Sequence, residues 1–170
     1  MTVRSYLLST LQFRFGKGPI ESLLKEHHGC WLVWEPGSWQ KRGSKTLTLE
    51  STIAPDNAIV VSPTGSTKDA LALALRLRDG QRQLTLGRGD HCDVIINEGT
   101  LSQLHLVFMH AENQWTVRDA ASKNGSSLNK HPLTPGRPSG LRGGDILAAG
   151  KALFTFLEPS GMHQRLQKHF

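Results

Sequence analysis

From residue 71 onward the chain is written in short apolar runs, none long enough to make a helix, separated by Gly, Asn, Asp and Pro. Leu71, Leu73, Leu75 and Leu77 alternate with Ala72, Ala74 and Arg76, the period-two pattern of a strand with one buried face. Asp79-Gly80 follows, and Asp-Gly suits the positive φ angles of a two-residue hairpin turn, so residues 83–86 are expected to return as the partner strand. Further β-prone runs lie at residues 94–96, 105–109, 114–117, 127–128, 146–148 and 153–157. Short strands at this spacing predict a mainly β protein built as a sandwich.

The first 40 residues read differently. Val3, Leu7, Leu11 and Phe15 recur every four positions, which predicts an amphipathic helix over roughly residues 2–14. Gly16 and Gly18 break it, Pro19 suits a first helical turn, and Gly29 suits a helix end, giving a second short helix over about 19–28. Cys30-Trp31-Leu32-Val33-Trp34 is then a β-prone run closed by Pro36-Gly37, with Trp39 just beyond. Three of the four tryptophans fall here, too much apolar surface for a disordered tail. Residues 1–40 are therefore expected to form a helical, Trp-rich extension packed on the next domain or on a partner. In residues 41–69, 13 of 29 positions are Ser, Thr, Pro or Gly, the composition of a linker. Residues 70–158 form the main domain and 159–170 a basic C-terminal tail.

Composition narrows the function. At 170 residues the chain suits one domain of about 100 residues with an appendage. No apolar run approaches the roughly 20 residues of a membrane span, so no membrane partner is expected. The segment before Glu21 carries Arg4, Arg14 and Lys17 and no acid, loosely resembling a transit peptide; its apolar residues are spaced at helical intervals and not gathered into the continuous core of a secretory signal, and a cytoplasmic protein is expected. Cys30 and Cys92 stand alone, without a disulfide framework or a four-cysteine zinc pattern. The +6 net charge is spread evenly, +2 in each of residues 1–70, 71–159 and 160–170, whereas a nucleic-acid footprint is a clustered basic stripe. His27-His28-Gly29-Cys30 and His91-Cys92-Asp93 lack a second half with zinc spacing. With no Gly-rich nucleotide loop ending in Lys-Ser or Lys-Thr and no paired carboxylates, neither a metal, another cofactor nor an enzyme is expected.

The chemistry sits in short motifs between the expected strands. Leu86-Gly87-Arg88-Gly89, Cys92-Asp93-Val94-Ile95-Ile96, Ser102-x-x-His105, Trp115-Thr116-Val117-Arg118-Asp119, Ser122-Lys123-Asn124-Gly125-Ser126-Ser127 and Leu141-x-x-Gly144-Asp145 occur in that order. Together they resemble a forkhead-associated (FHA) domain over about residues 70–158. The resemblance implies a β-sandwich of about eleven strands whose loops at one end bind phosphothreonine peptides.

The same residues support that reading chemically. A phosphothreonine carries about −1.5 to −2 charges and three acceptor oxygens, so it needs a fixed cation and directed donors. Arg88 is the candidate cation, with Gly87 and Gly89 giving its loop room. Ser102 offers a hydroxyl, and backbone N–H groups around Gln103 offer more donors. Asn124 presents an amide and a carbonyl at once, matching an extended ligand backbone, with Ser122 and Lys123 beside it. By resemblance, His105 and Gly125 support the site without touching ligand. Two positions depart from the family pattern: Gln103 stands where Arg, Lys or Asn is frequent, and Ser126 where Thr is common. Ser102, His105 and Asp119 do not make a catalytic triad, since no strand-turn-helix elbow surrounds Ser102.

The expected protein is thus a phosphothreonine-peptide adaptor or regulator in Ser/Thr kinase signalling. Its partner is a phosphorylated protein, or its own linker through Thr46, Thr48, Thr52 or Thr67. The alternative is a phosphate-independent assembly protein that uses the sandwich and the Trp-rich N-terminus as protein–protein surfaces, motivated by Trp31, Trp34 and Trp39.

Overall fold

The computed structural model describes residues 4–35, 59–61 and 69–168. In chain order it begins with β1 (Arg4–Leu7), α1 (Leu8–Phe15), α2 (Ile20–Glu26), β2 (Trp31–Trp34) and β3 (Ile59–Val61). Next come β4 (Leu71–Ala74), β5 (Gln83–Gly87), β6 (Val94–Ile96), β7 (Leu106–Ala111) and β8 (Gln114–Asp119). The remainder is β9 (Ser126–Leu128), β10 (His131–Pro132), β11 (Ser139–Gly140), β12 (Ile146–Ala149), β13 (Ala152–Leu157) and α3 (Pro159–Gln167).

These strands form two stacked sheets, one of seven strands in the order β1-β4-β2-β13-β12-β9-β10 and one of six in the order β11-β8-β7-β5-β6-β3. Pairing is antiparallel except where β6 runs parallel to both β3 and β5. Between the sheets lies the main core, with Leu32, Trp34, Leu73, Phe154 and Phe156 facing Leu84, Leu86, Phe108 and Val117. The fold is the expected β-sandwich.

A third layer was not legible as such. Leu8, Leu11 and Phe15 make one face of α1, and with Leu23 of α2 and Met162 and Leu166 of α3 they pack on Trp31, Val33 and Ala72 of the seven-stranded sheet. At β2 that sheet is consequently covered on both faces, which is why β2 reads as an unbroken hydrophobic run. Glu35, just past β2, accepts two hydrogen bonds from the Arg165 guanidinium of α3 at 2.6 and 2.7 Å and one from the Thr155 hydroxyl of β13 at 2.6 Å. Trp31 and Trp34 are 0% and 2% exposed, so their apolar surface is consumed within the chain.

Several expectations are corrected. The helix over 2–14 begins only at Leu8, because residues 4–7 pair with β4 from Arg4↔Ala74 to Leu7↔Leu71; the unpaired edge of β4 outweighs the helical spacing. Asp79-Gly80 does form a turn, with Gly80 at φ +79° and the Gln81 N–H on the Arg78 carbonyl at 2.9 Å. It is not a hairpin, since β4 and β5 belong to different sheets. Two-residue hairpin turns join β7 to β8 at Glu112-Asn113, β9 to β10 at Asn129-Lys130 and β12 to β13 at Gly150-Lys151; the first two have both φ angles positive without glycine, whereas the third places Gly150 at φ +54°. Residues 159–167 of the expected tail are helical. Pro36-Gly37, Trp39, the four linker threonines and most of the segment 41–69 lie outside the described residues, but 59–61 within it form β3.

Because both cores share one sheet, Leu11→Ala and Leu84→Ala should each lower stability by about 2–5 kcal/mol. Both should do so within a single cooperative transition in urea, whereas separate melting of a helical unit would contradict the shared sheet.

Candidate functional site

Three loops meet at one end of the sandwich: residues 88–93 between β5 and β6, 97–105 between β6 and β7, and 120–125 between β8 and β9. The first two are joined backbone to backbone, the Arg88 N–H donating to the Ser102 carbonyl and the Gly89 N–H to the Gln103 carbonyl, both at 2.9 Å. This approach requires glycine at position 87, where a Cβ would lie 2.2 Å from the Gln103 carbonyl oxygen. The Cys92 thiol donates to that same oxygen at 3.1 Å. Burial pushes its pKa up to about 11, so it stays a protonated donor.

His105 fastens the second loop to the third. Its ring is fully buried. Nδ1 accepts the Ser102 N–H at 3.0 Å, which puts the proton on Nε2, and Nε2 donates to the Gly125 carbonyl at 3.1 Å. Beneath the third loop, Asp119 accepts from the Ser122 N–H at 2.8 Å, from the Ser122 hydroxyl at 2.6 Å and from the Ser126 hydroxyl. Burial alone would raise the Asp119 pKa, but these hydrogen bonds and the nearby His105 outweigh it and hold the carboxyl below its ordinary value.

On this base the polar groups are displayed. Arg88 is exposed; its Nε donates to the Leu101 carbonyl at 3.3 Å, and it forms no ion pair among the described residues. The tether fixes the guanidinium while leaving its terminal N–H groups for a ligand. Ser102 Oγ accepts the Lys123 N–H at 2.9 Å, so its hydroxyl hydrogen remains to be donated. Asn124 Nδ2 donates to the Thr100 carbonyl at 2.7 Å, leaving its side-chain carbonyl as an acceptor. Lys123, Asn124 and Gln103 are exposed beside them.

Arg88, Ser102, Lys123 and Asn124 are therefore brought onto one surface by loops up to 36 positions apart in sequence. Ser122 differs: its hydroxyl and N–H both go to Asp119, which makes it part of the loop's support. Gln103 likewise contributes its carbonyl to the neighbouring loop. Sequence reasoning missed Thr100, whose carbonyl holds Asn124 and whose Oγ1 accepts the Lys151 N–H at 2.8 Å and donates to Glu98. It also missed Gly150, at φ +54°, where a Cβ would stand 2.5 Å from Thr100 Oγ1. No local pattern links residue 100 to residues 150 and 151. Among the described residues, no three His, Cys, Asp or Glu side chains cluster as metal ligands.

Asp119→Asn should cost about 1–3 kcal/mol by weakening buried charge-assisted bonds. Since the folded pKa of Asp119 is depressed, its stabilising contribution is complete above the unfolded value of about 3.9 and is lost as pH falls through the folded value. Acid unfolding followed by circular dichroism should therefore be less steep in Asp119→Asn than in the parent protein.

An FHA domain family model matches residues 84–150, the span that holds all three loops. The chain is 31% identical over 80 residues to an oxoglutarate dehydrogenase inhibitor of Corynebacterium jeikeium, a match covering 47% of this chain and 54% of that protein. It thus spans about half the length of that curated relative. Among solved structures, it resembles the FHA domain of an Arabidopsis thaliana protein with a TM-score of 0.51 and 19% identity, covering 78% of this chain and 86% of that one. A further resemblance is to the N-terminal FHA domain of Saccharomyces cerevisiae Rad53p in complex with a phosphothreonine peptide, with a TM-score of 0.47, 21% identity and 55% and 89% coverage. The sandwich, the joined loops and the family match over residues 84–150 together establish that this chain contains an FHA domain.

Proposed function

We propose that the chain is a non-catalytic reader of phosphothreonine peptides, acting as an adaptor or regulator downstream of a Ser/Thr kinase in the cytoplasm. The observation that carries this reading is the way two donors are held at one surface. Arg88 is tethered through Nε, and the Ser102 hydroxyl is engaged as an acceptor by the Lys123 N–H. A phosphate placed there takes a bidentate pair from the guanidinium and a hydrogen bond from Ser102, each charge-assisted bond being worth about 1.5–3 kcal/mol. Asn124 accepts a backbone N–H of the bound peptide, and the exposed Lys123 adds charge at the rim. His105 and Asp119 do not reach the ligand; they keep Ser102 and the 120–125 loop in place before it arrives, which lowers the ordering cost of binding.

The competing assembly reading rested on an N-terminus rich in tryptophan. Burial of Trp31 and Trp34 inside the chain removes most of that motivation. The phosphothreonine comes from a partner or from the chain's own residues 46–67, for which effective concentration would favour the intramolecular complex.

The test is calorimetric titration of the full chain with a degenerate phosphothreonine peptide library and its unphosphorylated twin. A fragment starting at residue 70 is unsuitable because it lacks β1 and β2. Binding should require the phosphate and weaken about 10-fold or more in Arg88→Ala. Equal binding of both libraries, or an undiminished response in Arg88→Ala, would overturn the reading.

A further inference from the structure

The end of the molecule opposite the three loops carries a polar cavity. Along β13, Ala152 lies beside the loop end and Leu157 pairs with Trp31; Trp31 in turn pairs with Ala74, and Ala74 with Arg4. Five residues of extended chain place this row about 17 Å from Ala152. Here a cavity of about 240 Å³ is lined by Arg4, Lys25, Glu26, His27, His28 and Arg76, with Ala74 at its wall. It is smaller than the roughly 300–1,000 Å³ of pockets that enclose whole drug-sized ligands. Such a space suits a single compact group.

Its charge is one-sided. Glu26, the one acid of the lining, is already held by the Arg14 guanidinium through both oxygens at 3.0 Å. Arg4, Lys25 and Arg76 form no ion pair among the described residues. At the end of α2, His28 Nδ1 lies 2.5 Å from the Leu24 carbonyl oxygen. His27 closes the floor of the cavity. It is 8% exposed, packed edge-on against Tyr6 and Trp31 with ring centroids 5.1 and 5.0 Å away, and its Nε2 has no hydrogen-bond partner among the described residues. A buried polar nitrogen left unpaired is costly and uncommon. Three unpaired cations are more than a single carboxylate would use, and the fork of arginine matches the oxygens of a phosphate.

We propose that this cavity is a second anion site, distinct from the phosphothreonine loops, which takes the phosphate group of a small phosphate monoester or free phosphate. Arg4 and Arg76 grip its oxygens, Lys25 adds charge, and His27 borders the floor.

Inorganic phosphate and methyl phosphate are titrated into the full chain carrying Arg88→Ala, which disables the first phosphate site. Histidine and backbone resonances are followed by NMR, with sodium chloride as the ionic-strength control and succinate as the carboxylate control. Saturable shifts at His27, His28 and Ala74 are expected with either phosphate, and the tighter of the two identifies free anion or ester as the natural form. The exposed positions Arg4 and Arg76 allow Arg4→Ala/Arg76→Ala without loss of packing, and this change should weaken binding about 10-fold or more. Shifts no larger than with chloride, an equal response to succinate, or a response unchanged in the double variant would each overturn the proposal. Because every titration is made without Arg88, failure here leaves the phosphothreonine reading untouched.

Discussion

Along β2 the side chains of Leu32 and Trp34 enter the core between the sheets, while those of Trp31 and Val33 enter the core under the helices. A strand used in this way has no tolerance for slippage, since a shift by one residue would exchange the two sets and misfit both cores. Its register with β13 on one side and β4 on the other therefore sets the position of everything attached to the seven-stranded sheet. That includes the β12–β13 turn at Gly150 and Lys151, which supports Thr100 and through it Asn124. The three joined loops and the helical layer are thus two dependants of one strand.

The division of labour at the loops follows from burial. His105 and Asp119 are 0% and 1% exposed and spend their hydrogen-bonding capacity on backbone and hydroxyl groups of the surrounding loops. Arg88, Lys123 and Asn124 are exposed and retain capacity for a ligand. Rigid, fully satisfied groups below and open donors above make a preorganised surface.

The sandwich was legible because a period of two survives in short runs such as residues 83–86 and 114–117, and because loop glycines and polar residues carry strong local signatures. What escaped reading depended on distant partners. Residues 4–7 obey a helical spacing with residues 11 and 15, and only the free edge of β4 makes them a strand. Asp79-Gly80 carries the right turn chemistry, but turn chemistry does not state whether the following strand returns to the same sheet. At Glu112-Asn113 and Asn129-Lys130 the sheets impose positive φ on residues without the glycine that would have announced it. Within the candidate site, Arg88, Ser102 and Asn124 stood out by residue type. Ser122 looked equivalent to them until Asp119, three positions away, was seen to take its hydroxyl. Thr100 had no signal at all, because its importance arises from neighbours at 124 and 151.

The pairing of β2 with β13 joins residues about 120 positions apart, Trp34 opposite Phe154. At ribosomal rates of about 5–20 residues per second, roughly 6–24 s separate the synthesis of these two strands. The β4 partner emerges sooner and shields one edge. Until the last third of the sandwich is made, however, neither core can close over Trp31 and Trp34. A strand buried at all four positions is thus made well before the strand that shelters it, an interval in which its apolar surface stays open to association with neighbouring chains.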